Sequence, residues 1–442
     1  PLGRHWANPQ SRHRQIAQGF LWVSLFVFVG KLAGAAKEMA IAWRYGVSAT
    51  VDAYVFIFNL VNWPVSIWLN ILMLVLVPLM ARMRANHPAK LPRFRAELLG
   101  LTIGLGLIFG LLAWLLLPSL MRAGWLGLSS AVLSEALKMA TAMALIVPLG
   151  LVISLLSTWL LAAGHHRNTL FEIIPALTIL AFLFLPYGWI PEPLLWGTVA
   201  GFAMQMAALA APLLRCGELP VPVFTQRMPI WRDFWEAVGI VAIGQFLMSI
   251  TSILDQFFAA GLEPGSISIL SYAQRVVALV LGLGGIAISR AVLPVVSRIG
   301  VTQRTEFHAL VIKWAATMFG FGLVALICGW LFARLGVEIL FERGAFTPKD
   351  GEAVTEIIRV SLLQAPFYFT CALLKHALAS RGKYIWIVWD AVISLAVKIT
   401  LIYILSRLIG LNGIVLSTVA MYTCSMIFLL YMLSAFRRKI SE

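Results

Sequence analysis

Residues 18–43 read QGFLWVSLFVFVGKLAGAAKEMAIAW. A helix needs about 20 apolar residues to cross a bilayer, and this run supplies them. Yet it also carries Lys31, Lys37 and Glu38, of which Lys31 and Glu38 share one helix face with Gly34 at spacings of three and four. Hydrocarbon tolerates an ionised side chain only where it lines a water-filled path or meets a partner, so charges here mark a functional cavity.

The same pattern continues along the chain. Further apolar runs lie at 53–80, 97–118, 136–162, 170–188, 193–214, 234–260, 267–294, 308–333, 354–380, 384–406 and 411–435, about twelve in all. The 442 residues are 61% hydrophobic and 12% charged. Soluble domains sit near half apolar and a quarter charged, so a soluble globular protein is excluded. Basic residues precede the first run as in a secretory leader, but the runs that follow make it a retained helix.

The net charge of +15 has its simplest source in membrane topology rather than in nucleic acid, which is not expected as a partner. Arg4, Arg12 and Arg14 precede the first run, and Arg82, Arg84, Lys90, Arg93 and Arg95 follow the second. Arg167, Arg227, Arg232, Arg298, Arg304, Arg381, Lys383, Arg437, Arg438 and Lys439 fall on the same side if every run crosses. That asymmetry predicts an even number of spans with both termini cytoplasmic.

Two halves are related by an offset of about 216–218 residues. Leu76-Val77-Pro78-Leu79-Met80-Ala81-Arg82 matches Val292-Leu293-Pro294-Val295-Val296-Ser297-Arg298, Pro148 matches Pro366, and Ala163-Gly164-His165 matches Arg381-Gly382-Lys383. An offset of six helices restores membrane orientation, so the halves are expected to be related by a pseudo-twofold axis along the membrane normal, with a site between them. The expected fold is all-α and polytopic, with about twelve transmembrane helices in two six-helix lobes. The lobes are 1–215 and 234–442, joined by a cytoplasmic linker at 216–233.

The first two helices of each half carry polar stripes. Asn59, Asn62, Ser66 and Asn70 recur at helical spacing in the second; Gln245, Ser249, Ser252, Asp255 and Gln256 do so in the seventh; Ser271 and Arg275 lie in the eighth. Ser and Asn also serve as ordinary interhelical glue, but Lys31 and Arg275 fit that role poorly. The candidate substrate contacts are therefore Lys31, Lys37, Arg275, Asn59, Asn62 and Gln245. Glu38, Asp52 and Asp255 are the candidates for H⁺ or Na⁺ coupling. Gln364, Cys371 and Lys375 share a face of the tenth span, and Asp390, Ser394 and Lys398 share one of the eleventh. Lys375 and Asp390 are at similar depth from the turn between the two spans and read best as a structural ion pair. A cavity dominated by cations suits phosphate, to which Lys and Arg donate charge-assisted hydrogen bonds.

No nucleotide-binding P-loop, H-E-x-x-H or G-x-S-x-G occurs, and the four cysteines are scattered. No catalytic residues, metal site or bound cofactor is expected, and the chain reads as a transporter rather than an enzyme.

Several stretches resemble the MurJ/MviN family of lipid II flippases, within the multidrug/oligosaccharidyl-lipid/polysaccharide exporter superfamily. Tyr45-Gly46-Val47-Ser48-Ala49-Thr50-Val51-Asp52-Ala53-Tyr54 resembles the family's F-G-x-x-x-x-T-D-A-F, and Ser271-Tyr272-Ala273-Gln274-Arg275 its Y-Y-A-D-R. Leu340-Phe341-Glu342-Arg343-Gly344-Ala345-Phe346-Thr347 with Asp350 resembles L-F-x-R-G-A-F-T-x-x-D. The resemblance implies a flippase moving an undecaprenyl-pyrophosphate-linked saccharide by alternating access in the bacterial inner membrane, among membrane lipids and polysaccharide or cell-wall assembly proteins. By this resemblance the family's cavity arginines on the first helix fall at Lys31 and Lys37, its acid after that helix at Asp52 and its eighth-helix arginine at Arg275. Its second-helix arginine falls near Val65, and its usual further C-terminal helices have no counterpart, so a shorter relative carrying lipid II or an exopolysaccharide or O-antigen repeat unit is implied. An ion-coupled multidrug antiporter of the same superfamily, and a non-transporting scaffold of a cell-envelope assembly complex, are the alternatives.

Overall fold

The computed structural model describes residues 29–162, 166–186, 188–215, 219–287, 304–381 and 383–438. The described residues form helices and connecting turns, without strands. The first is α1, residues 29–45. It is followed by α2 (Ala49–Asn86), α3 (Leu91–Arg122), α4 (Ser130–Met143), α5 (Ile146–Ala162), α6 (Ile174–Leu183) and α7 (Pro193–Arg215). Then come α8 (Ile230–Ala260), α9 (Ser266–Ala287), α10 (Arg304–Leu340), α11 (Pro348–Leu362), α12 (Ala365–Ser380) and α13 (Tyr384–Arg438).

Every apolar run in the sequence meets a helix. Among the described residues six helical stretches are individually long and apolar enough to cross a membrane, and counting each of the bent pairs α4–α5 (49°) and α11–α12 (43°) as one span brings the number to eight. The shorter apolar helices Leu170–Leu183 and Ser266–Gly282 account for two more runs. The fifty-five residues of α13 hold the last two runs, separated where Ile409 and Gly410 leave helical geometry. Gly410 sits there at φ +58, a conformation that costs a residue without Cβ little.

Local chemistry explains the irregularities. Pro78 has no N–H to donate, and α2 passes through a π-turn at Leu72–Leu76 just before it. Thr347 and Asp350 form a reciprocal capping box that starts α11.

The internal repeat is visible in packing. In the first half α3 packs on α5, and a Cβ on Gly106 would lie 2.9 Å from the Cα of Pro148. In the second half α10 packs on α12, and a Cβ on Gly322 would collide with the Cα of Pro366. Each bent pair thus turns at its proline against a glycine of the preceding helix, a close backbone approach typical of packing in lipid. The other repeat stretches, Val292–Arg298, Ala163–His165 and Gly382, lie outside the described residues, as do Arg4, Arg12, Arg14 and Cys216.

The chain divides into two compact units that do not follow chain order. One comprises the described chain up to Arg44, Ile57–Ala123 and Ala136–Gln245; the other comprises Tyr45–Phe56, Gly124–Glu135 and the chain from Phe246 onward. The start of α2 and the start of α4 cluster with the second unit, and the stretch 216–233 falls within the first. The described part of that stretch is held against α3 in the first unit. Val223 N–H donates to the Ala96 carbonyl at 3.0 Å, and Trp231 stacks among Phe94, Phe234 and Trp235. Trp231 Nε1 also donates to the fully buried Glu97 carboxylate at 2.6 Å.

Candidate functional site

In the first unit Lys31 is exposed on α1, while Lys37 Nζ lies 2.7 Å from Glu38 Oε1 with both side chains largely buried. Asn59, Asn62 and Gln245 are half-buried. The serines of the polar stripes turn to their own helices: Ser66 Oγ donates to the Trp63 carbonyl, Ser249 Oγ to Phe246 and Ser252 Oγ to Ser249. That leaves the amides as the stripe residues with the most capacity for a ligand. Val65, which stands near the position of the resemblance's second-helix arginine, is buried and packs against Gly150.

In the second unit three separated stretches converge. Asp52, 1% exposed, sits in the first turn of α2 and accepts from the first turn of α9. Gly265 N–H donates to Oδ2 at 2.5 Å, Ser268 N–H to Oδ1 at 2.7 Å, and Ser268 Oγ also donates to Oδ1. A carboxylate at a helix N-terminus satisfies orphan N–H groups and meets the positive end of the dipole. Residues 52 and 268 are 216 apart, the repeat offset, so equivalent positions of the two halves bond directly. Beside them Tyr272 donates to the Gly46 carbonyl at 3.2 Å and packs on Phe341 and Phe346. Gly46, at φ +58, lies against the backbone of Ala345. The geometry gives Asp52 a helix-capping role, where the sequence offered it as a candidate for ion coupling. Arg275 is exposed three residues beyond Tyr272 on α9.

The same unit holds two ion pairs. Lys375 Nζ lies 2.9 Å from Asp390 Oδ2, and Ser425 Oγ donates to Asp390 Oδ1 at 2.7 Å. Lys398 Nζ lies 2.5 Å from Asp255 Oδ1, donates to the Ile414 carbonyl at 3.3 Å and bonds the Thr418 hydroxyl. Beside it is a cavity of about 180 Å³, lined by Asp255, Gln274, Ser361, Gln364, Thr418 and apolar neighbours. Sequence reasoning placed Lys398 on a shared face with Asp390 and Ser394 but missed Asp255 as its partner, because that partner comes from another helix, α8. Thr418 gave no signal, being one hydroxyl in an apolar run. Among the described residues no three His, Cys, Asp or Glu side chains gather as a metal site.

The family model for the lipid II flippase MurJ matches residues 41–440. A probable lipid II flippase MurJ of Bdellovibrio bacteriovorus is 28% identical over 279 residues, covering 56% of this chain. That match spans 49% of the relative, about half its length. One of Buchnera aphidicola is 23% identical over 381 residues, 83% of this chain and 74% of the relative. Among solved structures, lipid II flippase MurJ in an inward closed conformation superposes with a TM-score of 0.81 at 18% identity, covering 94% of this chain and 87% of that one. An inward-facing multidrug resistance MATE transporter gives 0.73 at 14% identity, covering 92% and 96%. At these identities the structures share the fold.

Proposed function

The chain belongs to the MurJ lipid II flippase family, and from that premise we propose that it carries a saccharide linked to undecaprenyl pyrophosphate from the cytoplasmic to the outer leaflet of the bacterial inner membrane. Both termini face the cytoplasm in this reading. The observation that carries it is the presence of exposed cations, Lys31 and Arg275, on apolar helices of a chain matched to the family from residue 41 to residue 440. Their charge suits a pyrophosphate, and the half-buried Asn59, Asn62 and Gln245 suit sugar hydroxyls. Lys37, held by Glu38, is a weaker contact than Lys31. The lipid tail remains in the bilayer while the headgroup crosses. Moving one net negative charge outward gains roughly 2.3 kcal/mol per 100 mV of membrane potential.

The absence of a cation at Val65 favours a headgroup other than that of lipid II, such as an exopolysaccharide or O-antigen repeat unit. The MATE neighbours share the fold, but a cation antiporter needs an available acid, and Asp255 is paired with Lys398. The test is translocation of fluorescently labelled lipid-linked saccharide in proteoliposomes. Lys31→Ala and Arg275→Ala are each expected to reduce it tenfold or more; undiminished translocation at equal protein would remove the phosphate role.

A further inference from the structure

The ammonium of Lys398 is fully buried, 0% exposed, in the first arm of α13. An isolated charge at such a place is strongly disfavoured unless paired and hydrogen-bonded. An ammonium has three N–H donors, and three oxygens surround this one: Asp255 Oδ1 from α8 as an ion pair, and the Ile414 carbonyl and Thr418 hydroxyl from the second arm of α13 as hydrogen-bond acceptors. A carboxylate, a carbonyl and a hydroxyl make up the hard oxygen set that alkali and alkaline-earth ions take in proteins.

Two further observations set this cluster apart from a structural bridge. The cavity beside it, mostly apolar in its walls, has Asp255 and Thr418 themselves in its lining, together with Gln274, Ser361 and Gln364. Ser394, one turn before Lys398, is buried with a hydroxyl that has no partner among the described residues. The second pair of the unit offers a contrast. The Lys375 side chain is 30% exposed and reaches a carboxylate already bonded by Ser425.

We propose that Lys398 is a tethered cation filling a monovalent-cation site built from Asp255, Thr418 and the Ile414 carbonyl. Its ammonium does permanently what a soluble Na⁺ would otherwise do, so the site takes up no inorganic cation in the native protein. The sequence offered Asp255 as a coupling residue; the ammonium removes it from Na⁺ coupling. Removing the lysine side chain leaves an anionic oxygen nest beside a cavity, which converts the site into one for Na⁺ or Li⁺.

The test is the melting temperature of the purified full chain in detergent, followed by tryptophan fluorescence, in NaCl against choline chloride at equal ionic strength. The native protein is expected to melt at the same temperature in both salts. Lys398→Ala is expected to gain a saturable Na⁺-specific rise of about 2–4 °C, and Asp255→Asn with Lys398→Ala to lose it. A Na⁺-specific rise in the native protein that Asp255→Asn abolishes would overturn the proposal. A folded Lys398→Ala indifferent to Na⁺ would do the same. Should Lys398→Ala fail to accumulate, the native protein and Asp255→Asn decide between these outcomes alone. A transport arm rests on the flippase reading: translocation in proteoliposomes is expected to be equal in Na⁺ and choline. Failure to translocate in either salt counts against that reading and leaves the binding result standing.

Discussion

Replacing Asp52 by alanine removes the acceptor for the first turn of α9. The carboxylate receives Gly265 N–H at 2.5 Å, Ser268 N–H at 2.7 Å and the Ser268 hydroxyl. It is 1% exposed, so water does not replace it cheaply. Each buried N–H left without a partner costs roughly 1–3 kcal/mol. The hydroxyl can rotate to another acceptor, and the Ser48 carbonyl already lies 3.4 Å away. Two orphaned amides therefore give a loss of about 3–5 kcal/mol, a large part of the roughly 5–15 kcal/mol that holds a domain folded. Asp52→Asn keeps one oxygen for Ser268 but turns its amide toward Gly265 N–H, so an intermediate loss of about 2 kcal/mol is expected. The assay is thermal unfolding of the purified full chain together with hydrogen exchange across residues 265–272. Asp52→Ala should lower the midpoint by about 5 °C or more and speed exchange in that window first. A midpoint within about 1 °C of the native protein, with unchanged exchange there, would refute the capping argument.

Gly322→Ala places a Cβ onto the Pro366 backbone, whereas Gly320→Ala, two residues away on the same helix, meets nothing within 4 Å. The first should lose about 1–3 kcal/mol or fail to accumulate, and the second should be neutral, as read by melting in detergent. Trp231→Phe deletes the 2.6 Å hydrogen bond to buried Glu97 and should cost about 1.5–3 kcal/mol; Glu97→Gln, which keeps an acceptor, should cost less by the same melting measurement. Lys375→Ala leaves Asp390, 0% exposed, with Ser425 alone. It should destabilise by about 3 kcal/mol, and the double change Lys375→Met, Asp390→Leu should recover most of that.

The fold was legible because hydrocarbon imposes its length and composition on every spanning segment, and each apolar run found its helix. The bends were half legible. Pro148 and Pro366 stood out as repeat partners, but the glycines opposite them, Gly106 and Gly322, carry no sequence mark distinguishing them from Gly320. The long-range contacts within the second unit were less legible. Tyr45–Phe56 clusters there through contacts such as Asp52 to Gly265 and Gly46 to Tyr272. Contacts of that separation have no periodicity to read. The Lys375–Asp390 pair was legible because a short turn brings adjacent helices into register. Asp255–Lys398 was not, because its members lie on α8 and α13.

The charges sort by sign once their partners are known. The acids at depth are each held by the protein itself: Glu38 by Lys37, Asp52 by the α9 amino end, Asp255 by Lys398 and Asp390 by Lys375 and Ser425. Lys31 and Arg275 are exposed. Internal compensation of these acids weakens the attraction that would hold a cationic cargo. A protein that moved cations would need the reverse arrangement, with carboxylates exposed and lysines paired. Under the flippase reading, an attempt to favour a cationic cargo would therefore start by freeing Asp255 from Lys398.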